Sequence, residues 1–426
     1  MTDVRPFNAV RYDTAKVELS RVIVPPYDVI AADEREAFYA RDPYNAIRFE
    51  LTRDVADEAN TDYAEVGNTL AAWRREGVLM RDAVPGYYVM RQRFSGPGGD
   101  TLERVGFYAE LGLEDYSERV VRPHERTLAG PKADRLKVLR ASRANLSPVF
   151  VLYEDREGTL AQSLVSAFEK DSVGGARDEG GVDYDLARLA DPDTVELVRS
   201  FMAQRPVVMA DGHHRYETAL AYRDERRQAS ASPDPDAPHE STLAYFANAY
   251  APGTLLLPIH RVIRKDVLTS APDEAGWAEL LPLWRQKSVP LSGIEAIGKL
   301  LSEHLEPLAA KPAFAADAAD GWLRILWRDE ELDDRLMVRI VEKDVLGAAF
   351  GLGAESIRAG AVSFPKSAER AADEIRNADG RLAIYLNPLS PDDVFRVTAV
   401  SELMPQKSTF FFPKVPTGLV FRDHRD

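Results

Sequence analysis

The sequence contains no cysteine among its 426 residues. This absence excludes disulfides, thiolate nucleophiles, cysteine-ligated zinc and iron–sulfur clusters, and it is typical of a reducing compartment. No apolar run reaches the roughly 18 residues that a membrane-spanning helix requires. The first residues also lack the basic start and apolar stretch of a secretory signal. We therefore expect a cytoplasmic protein without a membrane partner.

Positive charge is also scarce, because 54 Lys and Arg stand against 69 Asp and Glu, for a net charge of −15. Binding to nucleic acid gains most of its energy from clustered basic side chains, so we expect no nucleic-acid partner. A glycine-rich GxxxxGK[ST] run is missing too, which excludes a P-loop nucleotide site. A local basic pocket for a small anion remains compatible with this composition.

The chain is otherwise ordinary for a globular protein, with 45% hydrophobic and 29% charged residues. Its length exceeds what one core usually supports. Mixed helical and strand-like patterns predict an α+β fold. A Pro-, Asp- and Ala-rich stretch at 227–240 suggests a boundary between domains at 1–230 and 231–426. Apolar runs predict a short strand within 22–30 that runs into the Pro25-Pro26 turn, a strand at 395–400, and a hairpin formed by 87–94 and 104–111.

The run Asp211-Gly212-His213-His214-Arg215 follows a predicted strand at 207–210 and precedes a helical pattern at 216–226. A helix N-terminus offers unpaired N–H groups and partial positive charge, which attract phosphate. Gly212 would permit a close approach of the backbone, and His213, His214 and Arg215 would add donors. The sequence therefore predicts a phosphate-binding turn.

Asp211 has several roles open to it in this turn. It could act in catalysis, cap the helix, fix a histidine tautomer or ligate Mg²⁺. An ordinary helix cap flanked by satisfied histidines is the structural alternative. A zinc site is disfavoured, because neighbouring residues point in different directions and no third ligand has a diagnostic spacing.

Two polar runs between 122 and 136 supply further candidates. Glu125, with His124 beside it, is the candidate general base, since either group can accept a hydroxyl proton in a partly dry cleft. Lys132 and Arg135 could neutralise phosphates. The alternatives are surface ion pairs around Glu125, and an N-cap role for Asp134 ahead of a helix at 135–141.

Candidate substrate-binding residues come from the two ends of the chain. Tyr27 and Asp28 follow the stiff Pro25-Pro26 turn, and Asn45 could orient an amine or cap a strand end. Near the C-terminus the polar trio Lys407, Ser408 and Thr409 precedes three aromatics. If this trio contacts an anion, the tail would return to the active cleft; a docked terminal strand is the alternative.

The chain resembles a family catalogued as domain of unknown function 1015. The motifs that carry this resemblance run along the whole chain: Arg5-Pro6-Phe7, Pro25-Pro26-Tyr27-Asp28-Val29, Asp42-Pro43-Tyr44-Asn45, Arg122-Pro123-His124-Glu125-Arg126-Thr127, Pro131-Lys132-Ala133-Asp134-Arg135-Leu136, the Asp211 to Arg215 run and Lys407-Ser408-Thr409-Phe410-Phe411. The family name itself states no function.

The Asp211 to Arg215 turn is also similar to the phosphate-binding motif of the ParB and sulfiredoxin-like fold, which includes free-serine kinases. That resemblance implies a ParB-like catalytic core with large additions and a second α+β domain. It implies a phosphotransferase that uses ATP or ADP with Mg²⁺ on the hydroxyl of a small amino acid such as serine. Sulfiredoxin chemistry does not carry over, because it needs a cysteine. A nucleotide-sensing binding protein without turnover is the alternative, and the oligomeric state stays open.

Overall fold

The computed structural model describes residues 1–31, 33–52, 63–125, 127, 129–232, 234–330, 336–405 and 407–425. Two compact units make up the chain. The first comprises Met1–Leu255, Val397–Leu403 and Pro413–Asp426, and the second comprises Leu256–Arg396 and Met404–Phe412. Sequence reasoning expected a division at 230/231, but strand pairing carries the first unit's sheet past that point.

Strands and helices alternate irregularly along both units, as expected for an α+β fold. The strands of the described chain are β1 (Val4–Arg5), β2 (Val10–Tyr12), β3 (Leu79–Arg81), β4 (Tyr87–Ser95), β5 (Thr101–Gly112), β6 (Val121–Arg122), β7 (Ala144–Asn145), β8 (Val149–Tyr153), β9 (Ser172–Arg177), β10 (Asp183–Leu189), β11 (Val207–Asp211), β12 (Ser241–Asn248), β13 (Leu255–Leu257), β14 (Arg261–Arg264), β15 (Arg285–Pro290), β16 (Ala313–Asp317), β17 (Trp322–Trp327), β18 (Val362–Ser363), β19 (Gly380–Leu386), β20 (Phe410–Phe412) and β21 (Arg422–Asp423). The helices are α1 (Leu19–Val22), α2 (Arg35–Arg41), α3 (Ile47–Glu50), α4 (Ala64–Arg75), α5 (Ala129–Ser142), α6 (Ala161–Val165), α7 (Ala167–Lys170), α8 (Pro192–Ala203), α9 (His213–Gln228), α10 (Glu274–Leu280), α11 (Ile297–His304), α12 (Met337–Ile340), α13 (Ala354–Arg358), α14 (Ala368–Asn377) and α15 (Pro391–Ala399), with a π-helix at Val341–Ala349.

The first unit is built on a mixed sheet of nine strands within the described residues. Its order is β6-β11-β8-β12-β5-β4-β10-β9, and β1 pairs with β5. The pairs β6/β11 and β8/β12 are parallel. The carboxyl ends of parallel neighbours lie at the same edge of a sheet, so the segments after β6 and β11 emerge side by side. These segments carry the two predicted catalytic motifs.

The hairpin predicted from the sequence is confirmed, since β4 pairs with β5 in antiparallel register from Tyr88↔Tyr108 to Ser95↔Thr101. The core of the first unit lies between this sheet and helices α6 to α9. At its centre the cross-strand pair Phe107 and Phe246 stacks with ring centroids 5.0 Å apart. Tyr216 and Ala219 of α9 belong to the same core, so burial of these side chains holds α9 against the sheet.

Two predicted strands are wrong. Residues 22–30 begin at the end of the short helix α1 and contribute only an isolated bridge from Val24 to Thr417. Residues 395–399 lie in helix α15, which starts at Pro391 with Asp392 and Asp393 in its first turn. Proline at the start and acids near the N-terminus favour a helix, and this signal outweighs the short apolar run that suggested a strand.

The second unit has its own sheet, in the order β15-β17-β16-β19-β14-β18. Its pairs are antiparallel throughout the described residues. Helices α11 and α14 contribute Ile297 and Ile375 to the core beneath it. No helix in the described part of the chain is long and apolar enough to cross a membrane.

Candidate functional site

The Asp211 to Arg215 run lies, as predicted, where β11 passes into α9. The register between β11 and β8 shifts between Met209 and Asp211, which is a β-bulge at the strand end. Gly212 is the N-cap of α9 with φ +86°, so the interpretation of Asp211 as the helix cap is wrong. Because its N-cap is a glycine, this 16-residue helix has no side-chain cap from that residue. The first turn of a helix carries N–H groups without intrahelical partners, which suit an anion.

Asp211 instead holds two cations. Its Oδ2 lies 2.6 Å from Arg215 Nη2, and its Oδ1 forms an ion pair with Lys414 Nζ. The three side chains are 12%, 10% and 19% exposed, respectively. Burial by itself would raise the pKa of Asp211, but Lys414 and Arg215 lower it below its ordinary value. Asp211 is therefore ionised at neutral pH and neutralised from both sides.

Arg215 folds back over the turn. Its Nη1 donates to the carbonyl of Pro148, while its Nε is buried without a hydrogen-bond partner in the described chain. A Cβ on Gly212 would lie 3.1 Å from Arg215 Cζ and Nε. Gly212 is thus required both for its left-handed φ and for the space that the guanidinium fills. The backbone at this glycine is covered by Arg215, which differs from the predicted close approach of a ligand.

His213 and His124 form a buried pair below the turn, with ring centroids 4.6 Å apart. His124 Nδ1 lies 2.6 Å from the carbonyl oxygen of Met209, so Nδ1 is the protonated nitrogen. The backbone N–H of His124 donates to Nε2 of His213 at 3.4 Å. Burial lowers the pKa of both rings. Both are therefore neutral at pH 7, and Glu125, 3.7 Å from His213 Nδ1, has no charged partner there.

His214 lies at the centre of the charged groups. The pKa of this half-buried ring is lower than its ordinary value, mainly because of burial and also because of Lys132. The carboxylates of Glu217, Glu125 and Asp28 act in the opposite direction and raise it. The four charged groups are therefore all near one imidazole. The fold brings together the motifs at 28, 125, 132 and 214, although they are far apart in the chain.

Glu217 is a site residue that the sequence analysis missed. It accepts a hydrogen bond from Thr127 Oγ1 at 2.8 Å and pairs with Lys132 Nζ at 2.8 Å. It lies four positions after His213 on α9, and side chains at that spacing share one helix face. That periodicity is the signal that could have identified Glu217. Lys132 is thus already paired before any ligand binds.

Tyr27 and Asp28 lie on the other side of Arg215. Burial and Asp211 both raise the pKa of Asp28, whereas Arg215 and Lys414 act against them. Although protein atoms surround Asp28, part of its surface is exposed to solvent. A carboxylate in such surroundings is typical of an open cleft. Burial likewise raises the pKa of Tyr27 to about 12. Asp28 is thus an accessible carboxylate close to the ion-paired turn.

Arg135 contacts Tyr27 and two acidic residues next to the site. Its guanidinium lies 4.3 Å from the ring centroid of Tyr27, and it pairs with Asp134 at 2.6 Å and with the buried Glu50 at 3.3 Å. Asp134 lies inside α5, which begins at Ala129, so the predicted N-cap role of Asp134 is wrong. Arg135 therefore holds Tyr27 in place, and its predicted contact with phosphate remains a prediction.

Asn45 has no exposed surface. Its Nδ2 donates to the carbonyl of Arg21 at 2.7 Å and its Oδ1 accepts from the N–H of Ile47 at 2.9 Å. A side chain without exposed surface cannot touch a substrate, so the structure contradicts the predicted substrate contact. Asn45 instead fixes the start of α3, where the sequence analysis allowed a cap at a strand end.

Lys407, Ser408 and Thr409 belong to the second unit. Ser408 is buried and donates to the carbonyl of Pro405 at 2.5 Å, and Lys407 has φ +60°. Their predicted contact with the substrate remains a prediction. It is Lys414, in the part of the tail that belongs to the first unit, that reaches Asp211.

The charges around the turn leave a surplus of acid. Four carboxylates face three cations in the described part of the site: Asp28, Glu125, Asp211 and Glu217 against Lys132, Arg215 and Lys414. The described residues contain no group of three or more His, Asp or Glu that could hold a metal ion.

Comparison with known proteins gives a family and several distant structural neighbours. The model of the family described as protein of unknown function (DUF1015) matches residues 4–281. No curated protein matches the chain. The solved structures that resemble it include a conserved hypothetical protein from Pyrococcus furiosus, at 9% identity and a TM-score of 0.33, covering 75% of this chain and 96% of that one.

Two further solved structures are similarly distant. A mutant of a free serine kinase in complex with ADP has 10% identity and a TM-score of 0.35, covering 75% of this chain and 91% of the kinase. C-terminally truncated SbnI from Staphylococcus aureus has 10% identity and a TM-score of 0.33, covering 71% and 83% of the respective chains. These values describe a weak likeness over most of each chain.

Proposed function

Because the chain belongs to the family described as protein of unknown function (DUF1015), we propose its function from the geometry of the site. The proposed function is a nucleotide-dependent phosphotransferase that acts on the hydroxyl of a small amino acid. The observation that carries it is the N-terminus of α9, with Gly212 at its N-cap, near the carboxylate of Glu125 and the cations Lys132 and Arg215. Phosphoryl transfer needs mainly positioning, cations and a base.

The donor phosphates are proposed to bind at the start of α9. The N–H groups of its first turn and the positive end of its dipole favour a phosphate oxygen. The buried Nε of Arg215, which has no partner in the described chain, supports this assignment, because unsatisfied buried donors are rare in folded proteins. Half-buried His214 adds a ring nitrogen at the same place.

Glu125 is proposed as the general base for the acceptor hydroxyl. It is 35% exposed, its neighbour His213 is neutral, and no Lys or Arg among the described residues forms an ion pair with its carboxylate. Glu217, the other candidate, already accepts from Thr127 and Lys132. His124 is buried against the carbonyl of Met209, so we assign it a positioning role for His213 in place of the catalytic role expected from the sequence.

Magnesium fits the acid surplus of the site. Mg²⁺ prefers carboxylate, water and phosphate oxygens, and it commonly uses only one or two protein carboxylates. Asp28 is the better ligand, because both oxygens of Asp211 already face Arg215 and Lys414, which would repel a divalent cation. When bound, the ion would neutralise phosphate charge.

One assay tests the transfer reaction. Purified protein is incubated with ATP or ADP, Mg²⁺ and a panel of hydroxyl amino acids, and phosphoamino acids are detected by mass spectrometry. Glu125→Gln should lower turnover by roughly 10²- to 10⁴-fold, as expected for loss of a general base, with little change in nucleotide affinity. Glu103→Gln, with 43% exposure on β5, is the matched control and should retain activity.

The second candidate function is nucleotide sensing without turnover. It is favoured by the ion pairs of Lys132 with Glu217 and of Arg215 and Lys414 with Asp211. A phosphate that takes over these cations would release two carboxylates, which is a two-state exchange suited to a switch. Nucleotide binding without product across the whole panel would support this function and contradict the kinase.

A further inference from the structure

A basic cavity lies in the first unit, away from the Asp211 turn. It has a volume of about 400 Å³ and is lined by three arginines and two histidines: Arg143, Arg226, Arg425, His239 and His424. None of its lining residues in the described chain is Asp or Glu. Such a concentration of basic side chains is unexpected in a chain with a net charge of −15.

Several separate segments build this cavity. Arg143 follows the last residue of α5, Arg226 lies in the last turn of α9, and His424 and Arg425 belong to the C-terminal tail. Arg143 has φ +48°, a left-handed conformation that residues other than glycine, asparagine and aspartate seldom adopt. Convergence of unconnected elements on one basic cavity indicates a built site, because a chance surface cluster would not require it.

Only part of the positive charge is compensated. Arg425 pairs with Asp423 at 2.7 Å, and His239 lies 3.7 Å from Glu240. Within the described residues the side chains of Arg143 and Arg226 have no ion-pair partner. Two unpaired guanidinium groups on one cavity repel each other unless an anion binds between them.

His424 adds an unsatisfied polar atom to the cavity wall. Its Nε2 lies 3.0 Å from Asn145 Oδ1, and that amide oxygen also accepts from the N–H of Leu243. Nε2 is therefore the protonated nitrogen. Nδ1 is buried and has no hydrogen-bond partner among the described residues. A buried ring nitrogen without a partner, beside unpaired arginines, is a position at which a ligand group would complete the hydrogen bonding.

We propose that this cavity binds a small molecule that carries two or more phosphate groups. Arginine presents a planar pair of donors that matches a phosphate in two-point fashion, and the volume falls within the range of small-molecule pockets. The concave shape suits a compact anion. Arg226 follows His213 by 13 positions on α9, which corresponds to roughly 20 Å along the helix. The proposed site is therefore separate from the proposed nucleotide site and independent of its function.

Calorimetric titration with inorganic pyrophosphate tests the proposal on the full chain. Arg226→Glu should weaken binding at least about tenfold, since a charge-assisted hydrogen bond is lost and a repulsion is added. Arg199→Glu is the matched control, because Arg199 is an exposed arginine on α8 outside the cavity; it should bind as the wild type does. His214→Ala removes a central group of the proposed nucleotide site, so any pyrophosphate bound at that site is weakened in this variant while binding in the cavity persists.

Three outcomes would overturn the proposal. The first is equal affinity in Arg226→Glu and the wild type, and the second is loss of binding only in His214→Ala. The third is equally tight binding of a triglutamate peptide, which would show attraction to charge without phosphate recognition. If Arg226→Glu unfolds in a thermal melt, Arg226→Gln removes the charge without reversing it, and the same tenfold loss is expected.

Discussion

Replacement of Asp211 by asparagine removes one charge from the buried trio while leaving its shape nearly unchanged. Arg215 and Lys414, 10% and 19% exposed, would then face each other without their common carboxylate. Removal of one partner from a buried ion pair costs roughly 3–5 kcal/mol, and the residual exposure here places the expected loss near 3 kcal/mol. For a unit of this size each kcal/mol lowers Tm by about 2–4 °C, so Asp211→Asn should melt roughly 6–12 °C lower.

Differential scanning calorimetry at low ionic strength measures this shift. Asp236→Asn is the control, because Asp236 is 79% exposed and pairs with Arg5 at 3.1 Å; a surface pair of this kind contributes about 0–1 kcal/mol. The double variant Asp211→Asn/Lys414→Met should lose less than the sum of the single losses, since removal of Lys414 relieves the repulsion. A shift below about 2 °C, or strictly additive losses, would refute the assignment of the trio as one charge-coupled unit.

The pH dependence gives an independent test of the same assignment. Because the pKa of Asp211 is lower in the folded protein than its ordinary value, its ionisation stabilises the fold above the unfolded pKa of about 3.9. That stabilisation is lost as pH falls through the folded pKa. The Tm difference between the wild type and Asp211→Asn should therefore be full at pH 6 and shrink below about pH 4.

The remaining predictions concern neighbouring positions. Gly212→Ala should destabilise more than Gly99→Ala: both glycines are left-handed, but only Gly212 has Arg215 at 3.1 Å from the added Cβ, whereas Gly99 has open space. Left-handed strain alone costs about 1–2 kcal/mol; equal losses in chemical denaturation would show that Arg215 moves aside freely. Asp28 has a raised pKa, caused first by burial and then by Asp211, so its neutral form is favoured and stability is lost as pH rises through the folded pKa. Asp28→Asn should therefore raise Tm at pH 7, leave it unchanged at pH 3 and abolish turnover; a lower Tm at pH 7 would contradict this.

Local signals in the sequence predicted the parts of the site that lie within one strand–helix junction. The apolar run before Asp211 and the helical pattern after His214 located the turn, because strand and helix periodicities are readable over a few residues. The burial of the Arg215 side chain could not be predicted from the sequence. A basic residue after two histidines suggests a solvent-facing phosphate grip, whereas the structure buries it between Asp211 and Pro148.

Long-range partners were beyond sequence reasoning for a physical reason. Lys414 reaches Asp211 across 203 positions, and no local pattern encodes which tail residue docks there. The strand prediction at 395–400 was wrong for a different reason. An apolar run of five or six residues fits a strand and a buried helix face equally well. Asn45 was mispredicted for a related reason. The sequence does not reveal that both ends of its side-chain amide form hydrogen bonds with backbone groups.

The ion pair between Lys414 and Asp211 has a consequence for biosynthesis. A ribosome that adds about 5–20 residues per second delivers Lys414 roughly 10–40 s after Asp211. Once Asn248, the end of β12, has been added, the sheet strands, the turn and Arg215 are all present in the nascent chain, yet the carboxylate of Asp211 has only Arg215 of its two cations. The cleft can reach its final electrostatic state only after Lys414 has been added, so premature termination ahead of position 414 would yield a chain with the motif intact and its charge balance incomplete.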